Sequence, residues 1–165
     1  QFNNMVRKFN ETDFYDGRFR GTTIEDTTGV AYGLFYKPLV EVAAEEAFKE
    51  DTTVYINYVG RLLNGLVFDT NVERVALDND IHTSGKTYAP VSIQWSEEYS
   101  GITMDESEVI PGFSKTLMQM AKLRSGSKAL GMFYSELGYS YSGSTNIPGY
   151  APLIFEIEFV DKPTE

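Results

Sequence analysis

No cysteine occurs anywhere in the 165 residues. That excludes disulfides, thiol nucleophiles and zinc held by thiolates. Histidine is almost as scarce: His82 stands alone. Any Ser-His triad or multi-histidine metal site would have to use it, yet its surroundings, DNDIHTSGK, read as a polar loop. The expectation is therefore a protein without metal or cofactor. Bases are outnumbered, with 14 Lys and Arg against 24 Asp and Glu and a formal net charge of −10. Such a surface repels nucleic acid and anionic membrane. No apolar run approaches the ~20 residues of a membrane-spanning helix. No internal repeat of about 20 to 50 residues is visible. The chain opens at Gln1 without a signal-like segment, which reads as a processed or truncated form and hints at export.

Aromatic residues are what the chain has in quantity, at 14% within a hydrophobic share of 42%. A chain of this length buries one core. Phe2, Met5, Val6 and Phe9 follow helical spacing and predict a short amphipathic helix, so residues 1–21 are read as a helical extension and 22–165 as one domain. GVAYGLFYKPLV is strand material interrupted by Gly33 and Pro38. The acidic EVAAEEAFKED fits either a short helix or a loop. Thr52 to Leu63 alternates and is rich in β-branched and aromatic residues, hence a strand. Asn64-Gly65 is a strong two-residue hairpin signal, returning the chain through Leu66 to Thr70.

Beyond it, Asn71 to Tyr88 reads as polar loop in which VERVAL forms one helical turn. Pro90 to Trp95 is a strand, and Glu97 to Glu108 a second polar insertion. Ile110, Phe113, Leu117 and Met120 make one stripe on a helix that starts near Pro111 and stops at Ser125-Gly126. Lys128 to Tyr134 is a strand, followed by the long Gly/Ser/Tyr loop SELGYSYSGSTNIPGYAP. Leu153, Phe155, Ile157 and Phe159 then alternate with Glu156 and Glu158 in a terminal strand. Several antiparallel strands with one short central helix make an α+β domain.

One pair of polar residues sits awkwardly in VYINYVGRLLNGLVFDT. With a two-residue turn, Leu63 pairs with Leu66 and Gly60 with Asp69, and Tyr58, Gly60 and Asp69 share one face. Gly60 leaves room for the Tyr58 hydroxyl to reach the Asp69 carboxylate, so each satisfies the other. The same register turns Phe68 away, unless the ladder bulges there.

These residues carry a resemblance. VYINYVGRLLNGLVFDT, VIPGF, SELGYS and IPGYAPLIFEIEFV resemble, in order, the signature segments of FKBP-type peptidyl-prolyl isomerases. The likeness runs from about Asp51 to Val160, and more faintly through TTGVAYGLFY. It implies a curved antiparallel sheet, a half-barrel, wrapped on one short helix with an apolar pocket between them. Tyr58, Phe68, Asp69, Ile110, Tyr139 and Phe155 are implied as the catalytic set, with Ile110 supplying a backbone N–H to a substrate carbonyl. Ile93, Val109, Phe113 and Ile147 are implied as substrate-binding. Several positions depart from the family pattern. Phe113 replaces a tryptophan and Ile93 a second aromatic; Ser140 and Gly149 replace a glycine and a proline. Insertions lengthen Asn71–Ala89 and Glu97–Glu108.

The implied activity is cis/trans isomerisation of X–Pro bonds in polypeptides, assisting folding, with macrolides of the family as possible inhibitors of the same pocket. The location is not fixed by the sequence; a bacterial cell envelope or periplasm is favoured, with a processed lipoprotein as one form and the N-terminal helix as a candidate dimerisation element. Two other readings stand beside this one. The first is a catalytically weak FKBP-like module that binds unfolded chains. The second is an aromatic-rich β-domain that binds glycans.

Overall fold

The computed structural model describes residues 34–164 apart from Tyr141 and Thr145. The helix expected over Phe2–Phe9, any dimerisation through it and the division at residue 21 lie outside the described residues. Eight antiparallel strands form one sheet: β1 (Leu34–Val40), β2 (Thr53–Leu62), β3 (Val67–Thr70), β4 (Val91–Gln94), β5 (Thr103–Met104), β6 (Ser107–Glu108), β7 (Lys128–Phe133) and β8 (Leu153–Val160). Their order is β1-β7-β8-β2-β4-β5-β6, with β3 pairing with β2. Among the described residues two α-helices accompany the sheet, α1 (Glu73–Asp78) and α2 (Pro111–Gln119). Among the described residues no helix is long and apolar enough to cross a membrane.

The expected period of two along β8 holds. Leu153, Phe155, Ile157 and Phe159 are buried, while Glu156 and Glu158 are half-buried on the other face. Ile154 is buried as well, because that face is covered where Met132 and Arg61 pair with it. The stripe on α2 also holds, with Phe113, Leu117 and Met120 all buried. Pro111 occupies the first turn after an extended Ile110, where its missing N–H is not needed. The helix ends at Gln119 rather than at Ser125-Gly126. Met120 and Leu123 continue in tight turns that drop both side chains into the core.

Two glycines seat the helix and the site around Phe155. Phe155 pairs with Gly131 on β7 and with Gly60 on β2, so the three lie in one row across the sheet. A Cβ at Gly131 would run into Thr116 of α2, so this glycine lets the helix lie close on the sheet. The Thr116 hydroxyl donates to the Gly112 carbonyl at 2.7 Å.

Several connections hold more structure than their polarity suggests. VERVAL forms the helix α1. Glu97 to Glu108 contains a 3-10 turn at Tyr99–Gly101 and the β5–β6 hairpin. Asp105 and Glu106 at its tip both have positive φ, +48° and +67°. A hairpin turn of that kind favours Asn-Gly, a signal missing here. EVAAEEAFKED is not helical. It is tied to the turn after α2 through the Ala43–Leu123 bridge, and Phe48 packs on Trp95 and Phe159 at 5.0 and 5.7 Å.

Candidate functional site

The β2–β3 hairpin reaches the expected pairing by a different route. Its loop has three residues, not two: the Gly65 N–H donates to the Leu62 carbonyl and the Leu62 N–H to the Leu66 carbonyl, each at 2.9 Å. Gly65 takes φ +94°, a left-handed value suited to glycine. Leu66 therefore faces Leu62 instead of Leu63. The one-residue offset is undone further along, where Arg61 pairs with Val67 but Gly60 with Asp69. Phe68 is the extra residue, a β-bulge. The bulge turns its ring onto the same face as Tyr58 and Asp69.

That face carries the candidate pocket. The Tyr58 hydroxyl donates to Asp69 Oδ2 at 2.9 Å. The space above Gly60 is filled by aromatic rings: an added Cβ would lie 2.7 Å from Phe68 Cζ and 2.8 Å from Phe155 Cε1. Phe155 meets Phe68 and Phe113 edge-on, with centroids 5.6 and 5.0 Å apart. It also stacks on Phe133 at 5.9 Å. Tyr58 meets Phe113 edge-on at 5.8 Å. Such geometry suits the ring quadrupoles.

Burial, and then the charge and hydrogen bond of Asp69, push the Tyr58 phenol well above its ordinary value. Tyr139 is raised too, by burial and then by Asp69, which brings it within electrostatic reach of the pair. Both phenols stay protonated throughout the neutral range. Tyr58 commits its proton to Asp69, so it turns lone pairs toward the pocket.

The residue before α2 contributes a backbone donor. The Ile110 carbonyl accepts from the Phe113 and Ser114 N–H groups at 3.0 and 3.2 Å. Its own N–H donates to no group among the described residues. Val109 and Ile110 are half-buried against the core. Two expected positions sit deeper. Ile93 is fully buried, paired with Val54 and Met104, and presents no surface to a ligand. Ile147 is also buried and forms a bridge with Ser144.

Ser140, in the place of the family's glycine, adopts φ +53°. A residue with a Cβ pays about 1–2 kcal/mol there, part of which glycine returns through its freer unfolded chain. Ser140→Gly is expected to be neutral to about 1 kcal/mol stabilising. Thermal unfolding checks this.

Three residues at the site carried no signal in the sequence. Asn71 is 3% exposed and fills a gap in the sheet. One edge of β2 pairs with β4 as far as Ile56 and with β3 from Val59. In between, Asn71 Oδ1 accepts the Tyr58 N–H at 2.8 Å. Its Nδ2 donates to the Ile56 and Ala89 carbonyls, each at 3.0 Å. Thus Asn71 fastens Tyr58 and both ends of the Asn71–Ala89 insertion. Lys86, within that insertion, lies 3.1 Å from Asp69 Oδ1. Phe133 is the third. Only its place in an apolar strand could have suggested it. Among the described residues no group of three or more His, Asp or Glu side chains could hold a metal ion.

Comparison with known proteins follows the same segments. Residues 44–160 match the family described as FKBP-type peptidyl-prolyl cis-trans isomerase. A probable FKBP-type peptidyl-prolyl cis-trans isomerase of Haemophilus influenzae is 32% identical over 139 residues, covering 83% of this chain and 46% of the relative. FkpA of Escherichia coli is 30% identical over 129 residues, covering 78% and 37%. The chain thus spans less than half the length of these two relatives. The crystal structure of Escherichia coli FkpA superposes with a TM-score of 0.55 at 26% identity, covering 99% of this chain and 59% of that one. The crystal structure of AtFKBP13 shares the fold, with a TM-score of 0.53 over 79% of this chain and 93% of that one, at 24% identity.

Proposed function

Because the chain belongs to the FKBP-type peptidyl-prolyl cis-trans isomerase family, we propose that it isomerises X–Pro bonds in polypeptides. The observation that carries this reading is the bond from the buried Tyr58 to the half-buried Asp69, made among the rings of Phe68, Phe113 and Phe155. Amide resonance sets the uncatalysed barrier at ~18–20 kcal/mol. Twisting the bond breaks that resonance and leaves a less polar amide. An apolar wall that excludes water therefore favours the twisted state over the planar one. The Ile110 N–H, without an acceptor among the described residues, holds the carbonyl preceding the proline as it rotates. Tyr139 is the second donor proposed to face the substrate, and Val109 shapes the rim. No nucleophile or proton transfer is needed.

Each ~1.4 kcal/mol of preference is tenfold in rate, so about 4 kcal/mol gives roughly a thousandfold. The test is cis/trans exchange across a panel of X–Pro peptides. The fastest turnover is expected with a bulky apolar residue before proline, and macrolides of the family should compete. Uncatalysed rates from folded protein across the whole panel would sink the proposal.

Binding of unfolded chains without turnover is the second reading. Its support is the exposed apolar tip of the hairpin, Leu63 and Leu66, together with Tyr150. Glycan binding finds no platform in Trp95, which is 1% exposed and packs against Phe48. It offers no face to a sugar.

A further inference from the structure

Resting on the isomerase reading, we propose that Lys86 is a positioning residue for the site, and that the Asn71–Ala89 insertion serves to deliver it. Asp69 is gripped from two sides. Tyr58 donates to Oδ2 at 2.9 Å, and the Lys86 ammonium lies 3.1 Å from Oδ1. The same ammonium donates to the Thr70 carbonyl at 2.8 Å and sits 5.4 Å from the centre of the Tyr88 ring. Two of its protons thus have hydrogen-bond partners, and the ring lies within cation–π range. A lysine on a loose loop would rarely hold that geometry, because its side chain has much rotamer freedom to lose.

This loop is braced. Tyr88 stacks on His82 with centroids 5.0 Å apart and planes 15° apart. The Tyr88 hydroxyl accepts the Thr83 N–H at 3.0 Å. His82 Nε2 lies 3.2 Å from Glu73 Oε1 on α1, and the Lys86 N–H closes a turn to the Thr83 carbonyl at 3.1 Å. Asn71 fastens both ends of the segment to β2. The chain from Asn71 to Ala89 is thus a bracket with one cation at its working end.

Two consequences follow for the reaction. The carboxylate cannot swing away from Tyr58 while its other oxygen is held, so the Tyr58 ring keeps its edge-on place against Phe113. The cation also offsets a negative charge beside an otherwise aromatic wall, where an uncompensated charge would draw in water. Lys86 acts on the substrate through Asp69 and does not touch it.

The experiment uses the full chain with a neutral and an acidic X–Pro peptide. Lys86→Met is expected to lower kcat/KM by about three- to fivefold, mostly in kcat, for a half-exposed ion pair. Lys86→Arg, which keeps the charge, should recover activity to within about twofold. In an Asp69→Asn background the Lys86→Met change should lose most of its effect, because its target is gone. Equal losses in both backgrounds would overturn the proposal, as would a Lys86→Met enzyme as active as wild type. A loss confined to acidic peptides would overturn it too, since it would mean direct contact with substrate. If Lys86→Met does not fold, Lys86→Gln carries the same comparison. Failure of wild-type protein to turn over any prolyl peptide would instead strike the isomerase reading itself.

Discussion

Phe155→Ala is expected to lose ~3–5 kcal/mol of stability, the usual range for emptying a buried aromatic site, and most of the proposed isomerase activity with it. Phe155 is 4% exposed and touches the rings of Tyr58, Phe68, Phe113 and Phe133. Its two cross-strand neighbours are Gly60 and Gly131, neither of which has a side chain to close over the hole. Phe68 would lose its packing partner above Gly60 and the wall would open to water. If about 100 Å² of apolar wall is lost, at ~25 cal/mol per Å² that is ~2.5 kcal/mol of transition-state preference. The expected loss in kcat/KM is close to a hundredfold. Denaturant unfolding measures the first effect and prolyl-peptide kinetics on the folded fraction the second. Phe155→Leu, which refills part of the volume, separates them: most of the stability should return and only part of the rate. A folded Phe155→Ala protein with wild-type kinetics would remove Phe155 from the pocket wall.

Asn71→Ala should be nearly as damaging for a different reason. It deletes no large apolar surface. Instead it strands a buried backbone N–H, that of Tyr58, and leaves the Ile56 and Ala89 carbonyls without their donor. The buried Tyr58 N–H and Ile56 carbonyl cost about 1–3 kcal/mol each when unpaired, while the carbonyl of the exposed Ala89 recovers water, so the net loss is expected at about 2–4 kcal/mol. Because Asn71 holds the insertion at both ends, activity should fall beyond what stability explains. Amide exchange at Tyr58 is the direct readout, and it should quicken in the variant before global unfolding. Protection at Tyr58 equal to wild type would show that the gap between β3 and β4 closes without Asn71.

Much of this arrangement was legible in the residues themselves. The face shared by Tyr58, Gly60 and Asp69 follows from the two-residue period of a strand, which belongs to the backbone and needs no partner to be read. The stripe of Phe113, Leu117 and Met120 follows equally from helical spacing. A two-residue turn predicts the Gly60–Asp69 pairing, but the chain arrives at it by another route. A loop one residue longer and a bulge at Phe68 cancel, and local patterns do not reveal two compensating shifts. Only the packed structure chose the bulge, because the room above Gly60 accepts the Phe68 ring, which packs there edge-on against Phe155. Ile93 is sealed by β5, a strand whose turn carries Asp105 and Glu106 at positive φ instead of a recognisable turn pair. Asn71 and Lys86 lie in a polar stretch with no period at all. Their partners stand 13 to 18 residues away along the chain, and hydrogen bonds at that range depend on where the folded backbone leaves donors and acceptors unpaired. Periodicity, turn residues and the ordered segments were properties of the sequence by itself. Which polar side chain reaches which buried group was decided in three dimensions, because burial alone makes an unpaired group costly enough to select its partner.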